Sequence, residues 1–287
     1  MEKPVGPAEF DLYKPSASRV YDYLLGGSHN FEVDRDVARQ MLRLAPEAAQ
    51  AAAANRHFMA RAVRYLVDQG ITQFLDIGSG IPTVGNVHEI AQRYAPDSRV
   101  VYVDIDPVAV MHSRHILDGD RRCAVIQGDL RDPRAILDDS LARDLLDFDR
   151  PVAVLLVAVL HFIHDHEDPA GIVRELRDSL SPGSHLVLSH ASWPADATVA
   201  VRQAQHTYDR MAAQLVLRTR DEVATLFDGF DLLEPGLVTV ANWRPDTEAE
   251  MYRNRTDRLP ALAAVGSWRG ADTIAGAEGT ARMTSPR

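Results

Sequence analysis

Lysine is almost missing from this chain. Of 31 basic residues only Lys3 and Lys14 are lysines, both near the amino terminus, and arginine supplies the rest. A Walker-type phosphate loop needs Gly-Lys-Ser/Thr and a kinase site needs a strand lysine, so neither fits the centre of this sequence. A pyridoxal Schiff base would have to come from the amino-terminal arm. Cysteine is rarer still: Cys123 is single, which rules out an internal disulfide, and its apolar setting, Cys-Ala-Val-Ile, reads as buried packing. There is no Gly-x-Ser-x-Gly nucleophile elbow and no apolar run long enough to span a bilayer. The first residues lack the basic start and apolar centre of a secretory signal, so the expectation is a soluble, cytoplasmic protein without a membrane partner. A net charge of −10 argues against a general binder of phosphate backbones, and nucleic acid is not the expected partner.

What is present is enough apolar sequence for one large core: 287 residues, 46% hydrophobic. From Ile71 onward β-rich runs alternate with helical patterns, the mark of an α/β protein with a mostly parallel sheet and helices on both faces. Strands are expected at 72–77, 99–104, 123–128, 152–157, 184–190, 236–241 and 260–267. No helix-length pattern separates the last two, so a seven-stranded sheet ending in an antiparallel hairpin is expected at the edge. Residues 1–69 read as an arm and a helical cap. A short segment carries Val20, Tyr21, Leu24 and Leu25 and stops at Gly26-Gly27; a second helix starts near Asp34, and a third runs from about Pro46 to Gln69. Residues 70–269 form the main domain, and 270–287 have the composition of a disordered tail.

In an open α/β sheet, ligands bind beyond the carboxyl ends of the strands, so strand ends are where chemistry is sought. The first expected strand ends in Asp76-Ile-Gly78-Ser79-Gly80, where glycines admit positive φ and close backbone approach to a ligand. A dinucleotide fingerprint would place its third glycine at Thr83, which disfavours that reading. The second strand ends at Asp104, suited to a ribose diol, and Asp106 before Pro107 reads as a helix cap. The third end carries Asp129 beside Leu130, suited to an adenine amine and ring. Three acids at successive strand ends repel a phosphate-rich ligand and suit a cationic nucleoside with a free amino group. The fourth end, Val157-Ala158-Val-Leu-His161-Phe-Ile-His164-Asp-His166, contains a His-x-x-His-x-His run. Without a clear further ligand it does not define a metal site; His161 is the histidine that can face a reacting centre, with His190 a weaker candidate.

These motifs resemble those of the Rossmann-like S-adenosylmethionine-dependent methyltransferases. Ser18-Arg-Val-Tyr-Asp-Tyr-Leu-Leu-Gly-Gly-Ser-His-Asn-Phe, Asn55-Arg, Phe74-Leu-Asp-Ile-Gly-Ser-Gly-Ile-Pro-Thr and Leu155-Leu-Val-Ala-Val-Leu-His-Phe are similar to a family called S-adenosyl methyltransferase, long catalogued as a domain of unknown function. The resemblance covers roughly residues 10–268. It implies S-adenosyl-L-methionine as cofactor, S-adenosyl-L-homocysteine as product, and cofactor contacts at Asp76, Gly78, Ser79, Gly80, Asp104, Ile105, Asp129, Leu130 and Ala158. Pro82 stands where the general pattern has a third glycine, a feature shared within this family.

The expected reaction is in-line methyl transfer to a nitrogen or oxygen of an acceptor, with a small molecule as the leading acceptor class and protein second. An activated sulfonium donor needs chiefly alignment and water exclusion. His161 or Tyr23 is a candidate to take a proton from a hydroxyl acceptor, and Tyr21, Gly26, Gly27 and Asn30 are candidates for a lid over the substrate. No Asp/Asn-Pro-Pro-Tyr follows the fourth strand, which argues against DNA amino-methylation. Two rival readings stand: a non-catalytic cofactor-binding sensor or partner module, and an NAD-dependent oxidoreductase.

Overall fold

The computed structural model describes residues 14–82, 85–193, 215–256 and 261–270. Three helices come first: α1 (Ala17–Leu24), α2 (Glu32–Leu44) and α3 (Ala48–Asp68). Strands and helices then alternate: β1 (Gln73–Ile77), α4 (Val87–Tyr94), β2 (Arg99–Asp104), α5 (Pro107–Ile116), β3 (Cys123–Gln127), α6 (Pro133–Asp138) and α7 (Ser140–Leu145). They continue through β4 (Ala153–Val157), two short 3-10 turns, α8 (Pro169–Asp178) and β5 (His185–Ala191). The described chain closes with α9 (Arg220–Thr225), β6 (Asp231–Leu232), β7 (Val238–Thr239), α10 (Glu248–Arg253) and β8 (Ala261–Ser267).

The sheet order is β3-β2-β1-β4-β5-β8-β6, with β7 also pairing β8. The first five strands are parallel, and β8 runs antiparallel to β5, β6 and β7. The expected antiparallel hairpin of 236–241 with 260–267 is present as β7 and β8 at this end of the sheet, but the sheet has eight strands among the described residues rather than seven. β8 lies between β5 and the short β6, and two residues of β6 that no sequence period marks add an eighth strand. Helix α10 also stands in the connection expected to lack one; Thr247 caps it by accepting from Glu250 N–H. The expected tail after residue 270 lies outside the described residues, as does Thr83.

Alternation along each strand divides the core into two layers. Leu75, Ile77, Val101, Val103, Val154 and Leu156 face α6 to α9, and Phe74, Val100, Tyr102, Val125, Ala153 and Leu155 face α3 to α5. Helix α3 supplies Phe58, Met59, Ala62, Val63 and Leu66 to the second layer, so the long cap helix shares the core of the sheet. Arg61, buried on α3, donates to Trp243 O at 2.9 Å and Val240 O at 2.6 Å and pairs with Glu250, which fastens α3 to the β7–α10 connection. Helix α1 differs from its sequence pattern: its buried residues are Arg19, Val20 and Asp22, because the polar pair finds partners inside the fold.

Candidate active site

β1 and β4 sit centrally in the sheet, where the chain direction of the crossovers changes, and their carboxyl ends open a crevice. A cavity of about 330 Å³ fills it, walled by the ends of β1, β2, β3 and β4 and roofed by Ser16, Ser18 and Tyr21 of the α1 region. All nine residues expected to contact a cofactor line it: Asp76, Gly78, Ser79, Gly80, Asp104, Ile105, Asp129, Leu130 and Ala158.

Gly78 and Gly80 take φ of 76° and 66°, and a Cβ on Gly78 would lie 2.4 Å from Val159 Cγ2. The turn therefore requires glycine at Gly78 on both conformation and space. Its N–H groups, however, face inward. Gly78 N–H and Ser79 N–H donate to Val103 O at 2.8 and 3.1 Å, and Gly80 N–H donates to Asp104 Oδ2 at 2.7 Å. The glycines bring the chain close, as expected, but the N–H donors of the turn satisfy β2 rather than a ligand.

Asp104 also accepts from Asp106 N–H at 2.9 Å, so each of its oxygens keeps a further lone pair for a diol. Burial raises its carboxyl to about 6 despite these donors. Asp106 caps α5 through Val108 N–H, as the sequence implies, and its other oxygen holds Ser16 Oγ, Ser18 Oγ and Arg19. Asp76 is more exceptional. It is 5% exposed, it lines the cavity, and its carboxylate meets no hydrogen-bond donor among the described residues. Burial lifts it to about 7, with Arg56 opposing and Asp104 reinforcing the rise. Asp129 sits at the rim with its carboxylate gripped by Arg131 at 2.7, 2.9 and 3.0 Å. A ligand amine must share it with a guanidinium. Ile105, 53% exposed, and buried Leu130 give apolar surfaces flanking the Asp104 end of the cavity.

A second cavity, of about 140 Å³, adjoins the first and shares Tyr21, Asn55, Ala158 and His161 with it. Ala158 sits at φ 59°, a left-handed conformation that costs a non-glycine residue on the order of 1 kcal/mol. Its N–H donates to Ser189 Oγ at 3.0 Å, Ser189 Oγ donates to Asn55 Oδ1 at 2.5 Å, Asn55 Nδ2 donates to Tyr21 Oη at 3.0 Å, and Tyr21 Oη donates to Ala52 O at 3.0 Å. This chain of bonds fixes Tyr21, Asn55 and Ala158, three of the residues that both cavities share. It also commits the Tyr21 hydroxyl, whose ionisation burial pushes upward.

His161 is held below its ordinary range chiefly by burial, then by His190 and Arg218, so it is a neutral imidazole. His190, lowered to about 4, donates from Nδ1 to Ala191 O at 2.6 Å and accepts Arg218 Nη1 at Nε2 at 2.7 Å, so it has no free nitrogen. Arg218 is buried and also binds Leu160 O, Ile163 O and Asp165, which holds the loop carrying His161. His164 and His166 stack on each other and line neither cavity. Among the described residues no three His, Cys, Asp or Glu side chains converge as a metal-binding group. Cys123 is half-buried and pushed up to about 12 by burial, far from a thiolate.

Of the lid candidates, only Tyr21 reaches the cavities. Gly26, Gly27 and Asn30 line neither, and Tyr23, the expected proton acceptor, lines neither as well, so that role is corrected; Asn30 Nδ2 donates to Asp22 Oδ2 at 2.8 Å and to Gly27 O at 3.0 Å, and Gly27 packs so closely that a Cβ would lie 2.0 Å from Asp22 Oδ1. They lock the α1–α2 turn. Sequence reasoning missed Asn55, Arg56, Ser189 and Arg218 as site residues. The polar pair Asn55-Arg56 after the Ala48–Ala54 run was a readable signal; Arg218 had none, because its acceptors come from distant loops.

The doubly wound sheet, the antiparallel β8 beside β5 and the acids at the cavity define the class: a Rossmann-like methyltransferase. A family profile described as S-adenosyl methyltransferase matches residues 4–269, and the chain belongs to that family. It is an S-adenosylmethionine-dependent methyltransferase with S-adenosylmethionine as cofactor. The crystal structure of a candidate methyltransferase from Thermobifida fusca YX is 38% identical with a TM-score of 0.83, covering 93% of this chain and 100% of that one. A DUF574 family protein from Streptomyces avermitilis MA-4680 is 39% identical with a TM-score of 0.84, covering 91% and 100% respectively. An O-methyltransferase family protein from Burkholderia thailandensis, 16% identical with a TM-score of 0.50 over 90% of this chain and 65% of that one, shares the fold alone. No curated protein matches the chain. Among the described residues no helix is long and apolar enough to cross a membrane.

The residues fit this cofactor. The buried carboxylate of Asp76, without a hydrogen-bond donor among the described residues, suits an ammonium, and Arg56, which also lines the cavity, suits a carboxylate.

Proposed function

We propose that the protein moves the methyl group of S-adenosylmethionine to a nitrogen or oxygen of a small-molecule acceptor seated in the second cavity. The cofactor supplies an activated methyl on a sulfonium. Asp104 holds the ribose hydroxyls, Asp76 and Arg56 hold the amino-acid end, Ile105 and Leu130 flank the adenine, and Asp129 accepts its amine. Gly78, Ser79 and Gly80 give close approach, and Ala158 turns the chain at the junction. The work left to the protein is to align the two reactants and exclude water, and the roof from Ser16 to Tyr21 contributes to the latter.

The observation that carries this reading is the apolar second chamber meeting the cofactor cavity at Tyr21, Asn55, Ala158 and His161. A sensor module needs no such chamber. The experiment is a screen of small molecules with methyl-labelled cofactor, scored by label transfer. Tight cofactor binding with no transfer to any acceptor would favour the sensor reading, and NAD binding without S-adenosylmethionine binding would overturn the choice of cofactor.

A further inference from the structure

We infer that the acceptor is a small molecule of about one ring in bulk whose nucleophile is an ionised oxygen, a phenolate or carboxylate, held by the Nε2–H of His161. The inference rests on methyl transfer at this site and names its substrate class.

Size comes first. The second cavity, about 140 Å³, is comparable to an apolar cavity that admits one benzene ring. Leu24, Met41, Ala48, Ala51 and Leu217 are among the residues that line it, and among the described residues no Asp, Glu, Lys or Arg side chain does. A polar or charged acceptor body would lose its hydration there without replacement.

The polar groups at the junction then select the nucleophile. Tyr21 Oη and Ser189 Oγ each donate and accept within the wall, and His190 has both nitrogens engaged. His161 differs. Ala191 N–H points at its Nδ1, 3.4 Å away, which places the ring proton on Nε2, and Nε2 meets no partner among the described residues. The imidazole thus offers the shared wall one donor and no acceptor.

A nucleophile held by that donor needs two lone pairs, one to accept the hydrogen bond and one to attack. A neutral amine has one, so the bond that orients it would also block it. An oxygen has enough. An un-ionised hydroxyl would release a proton during transfer, and His161 cannot take it: Nε2 already carries a hydrogen, and Nδ1 faces an N–H. An ionised oxygen leaves no such proton. One O–C bond forms and one S–C bond breaks; the oxygen's negative charge and the sulfonium's positive charge cancel, leaving a methyl ether or ester and a thioether. Arg218, which lines neither cavity and is paired with Asp165, holds His190 beside His161 rather than facing the acceptor.

The test uses the full chain, methyl-labelled S-adenosylmethionine and three monocyclic probes, 4-nitrophenol, 4-nitrobenzoate and 4-nitroaniline, at a pH where the first two are ionised. Calorimetry of S-adenosylmethionine binding runs alongside. The expected result is transfer to at least one oxygen probe about tenfold or more faster than to 4-nitroaniline, the scale of one charge-assisted hydrogen bond. His161→Phe should lower kcat/KM for that probe by a similar factor and by more than it changes cofactor affinity, and His161→Gln, which restores an N–H donor, should recover part of it. Ala51→Leu, which fills the second cavity, should abolish transfer while cofactor binding persists. Equal or faster labelling of the aniline, no labelling of either oxygen probe by protein that binds the cofactor, or full activity in Ala51→Leu would overturn the inference. Failure to bind S-adenosylmethionine at all would instead overturn the reading of the site, and this inference with it.

Discussion

Asp76 combines burial, a carboxylate without a donor among the described residues, and a cavity in front of it. Its folded carboxyl is raised to about 7, well above the ordinary carboxylate value. Between roughly pH 4 and pH 7 the folded protein therefore holds a proton that the unfolded chain has released, and stability falls as pH rises through that window. Asp104, raised to about 6, acts in the same direction. A cationic ligand reverses the preference by favouring the ionised form. We expect S-adenosylmethionine affinity to rise between pH 6 and pH 8, measured by calorimetry; a flat profile would mean that Asp76 does not face the ammonium. Asp76→Asn removes the buried charge and keeps the shape. It should raise the melting temperature of the free protein at pH 8, by on the order of 1 kcal/mol in stability, while weakening cofactor binding about tenfold or more. The three acids were legible one by one in the sequence because each ends an apolar run. Their different states were not, since donors from Gly80 and Asp106 reach Asp104, Arg131 reaches Asp129, and no donor among the described residues reaches Asp76.

At the scale of elements, the roof depends on one buried ion cluster. Arg19 on α1 binds Asp34 on α2 at 2.8 Å and Asp106 before α5 at 3.3 Å, while Ser16 and Ser18 add hydroxyl donors to Asp106. Removing Arg19 leaves Asp34, fully buried, without its cation, a change that typically costs about 3–5 kcal/mol. Arg19→Ala should speed amide exchange in α1 and weaken cofactor binding, with β4 and β5 amides still protected. Loss of protection in the central strands as well would show that the cluster holds the whole fold. Gly27→Ala tests the corrected role of the glycine pair. The added methyl would collide with Asp22, so the expected outcome is a lower melting temperature rather than a selective loss of turnover. Long elements were readable because their periods are: the three cap helices and the five parallel strands fall within a few residues of expectation. β6 is two residues long and carries no period, so only pairing with β8 defines it, while β7 lies inside the strand expected at 236–241 but keeps just two of its residues in the sheet.

For the molecule as a whole, the cofactor joins pieces that are far apart in sequence: the α1 region, the Asn55-Arg56 pair of α3 and four strand ends. A ligand that binds only when these are assembled stabilises the assembly. At a hundredfold excess over Kd, S-adenosylmethionine should add about 2.7 kcal/mol, and for a chain of this size raise the melting temperature by roughly 5–10 °C. No shift at saturation would show that these surfaces do not close on the ligand together.

The sequence by itself determined the parallel sheet, the acids at its strand ends, the exclusion of central lysine chemistry and the resemblance that gives the cofactor. Each of these is local, a period or a short motif written in consecutive residues. Tertiary structure alone decided which loop donors turn inward, that Gly27 and Asn30 lock a turn, that Arg218 holds the His161 loop, and that a second apolar chamber opens where Tyr21, Asn55, Ala158 and His161 meet. Those outcomes depend on hydrogen-bond partners and empty volume between residues up to about two hundred positions apart, which no local pattern encodes.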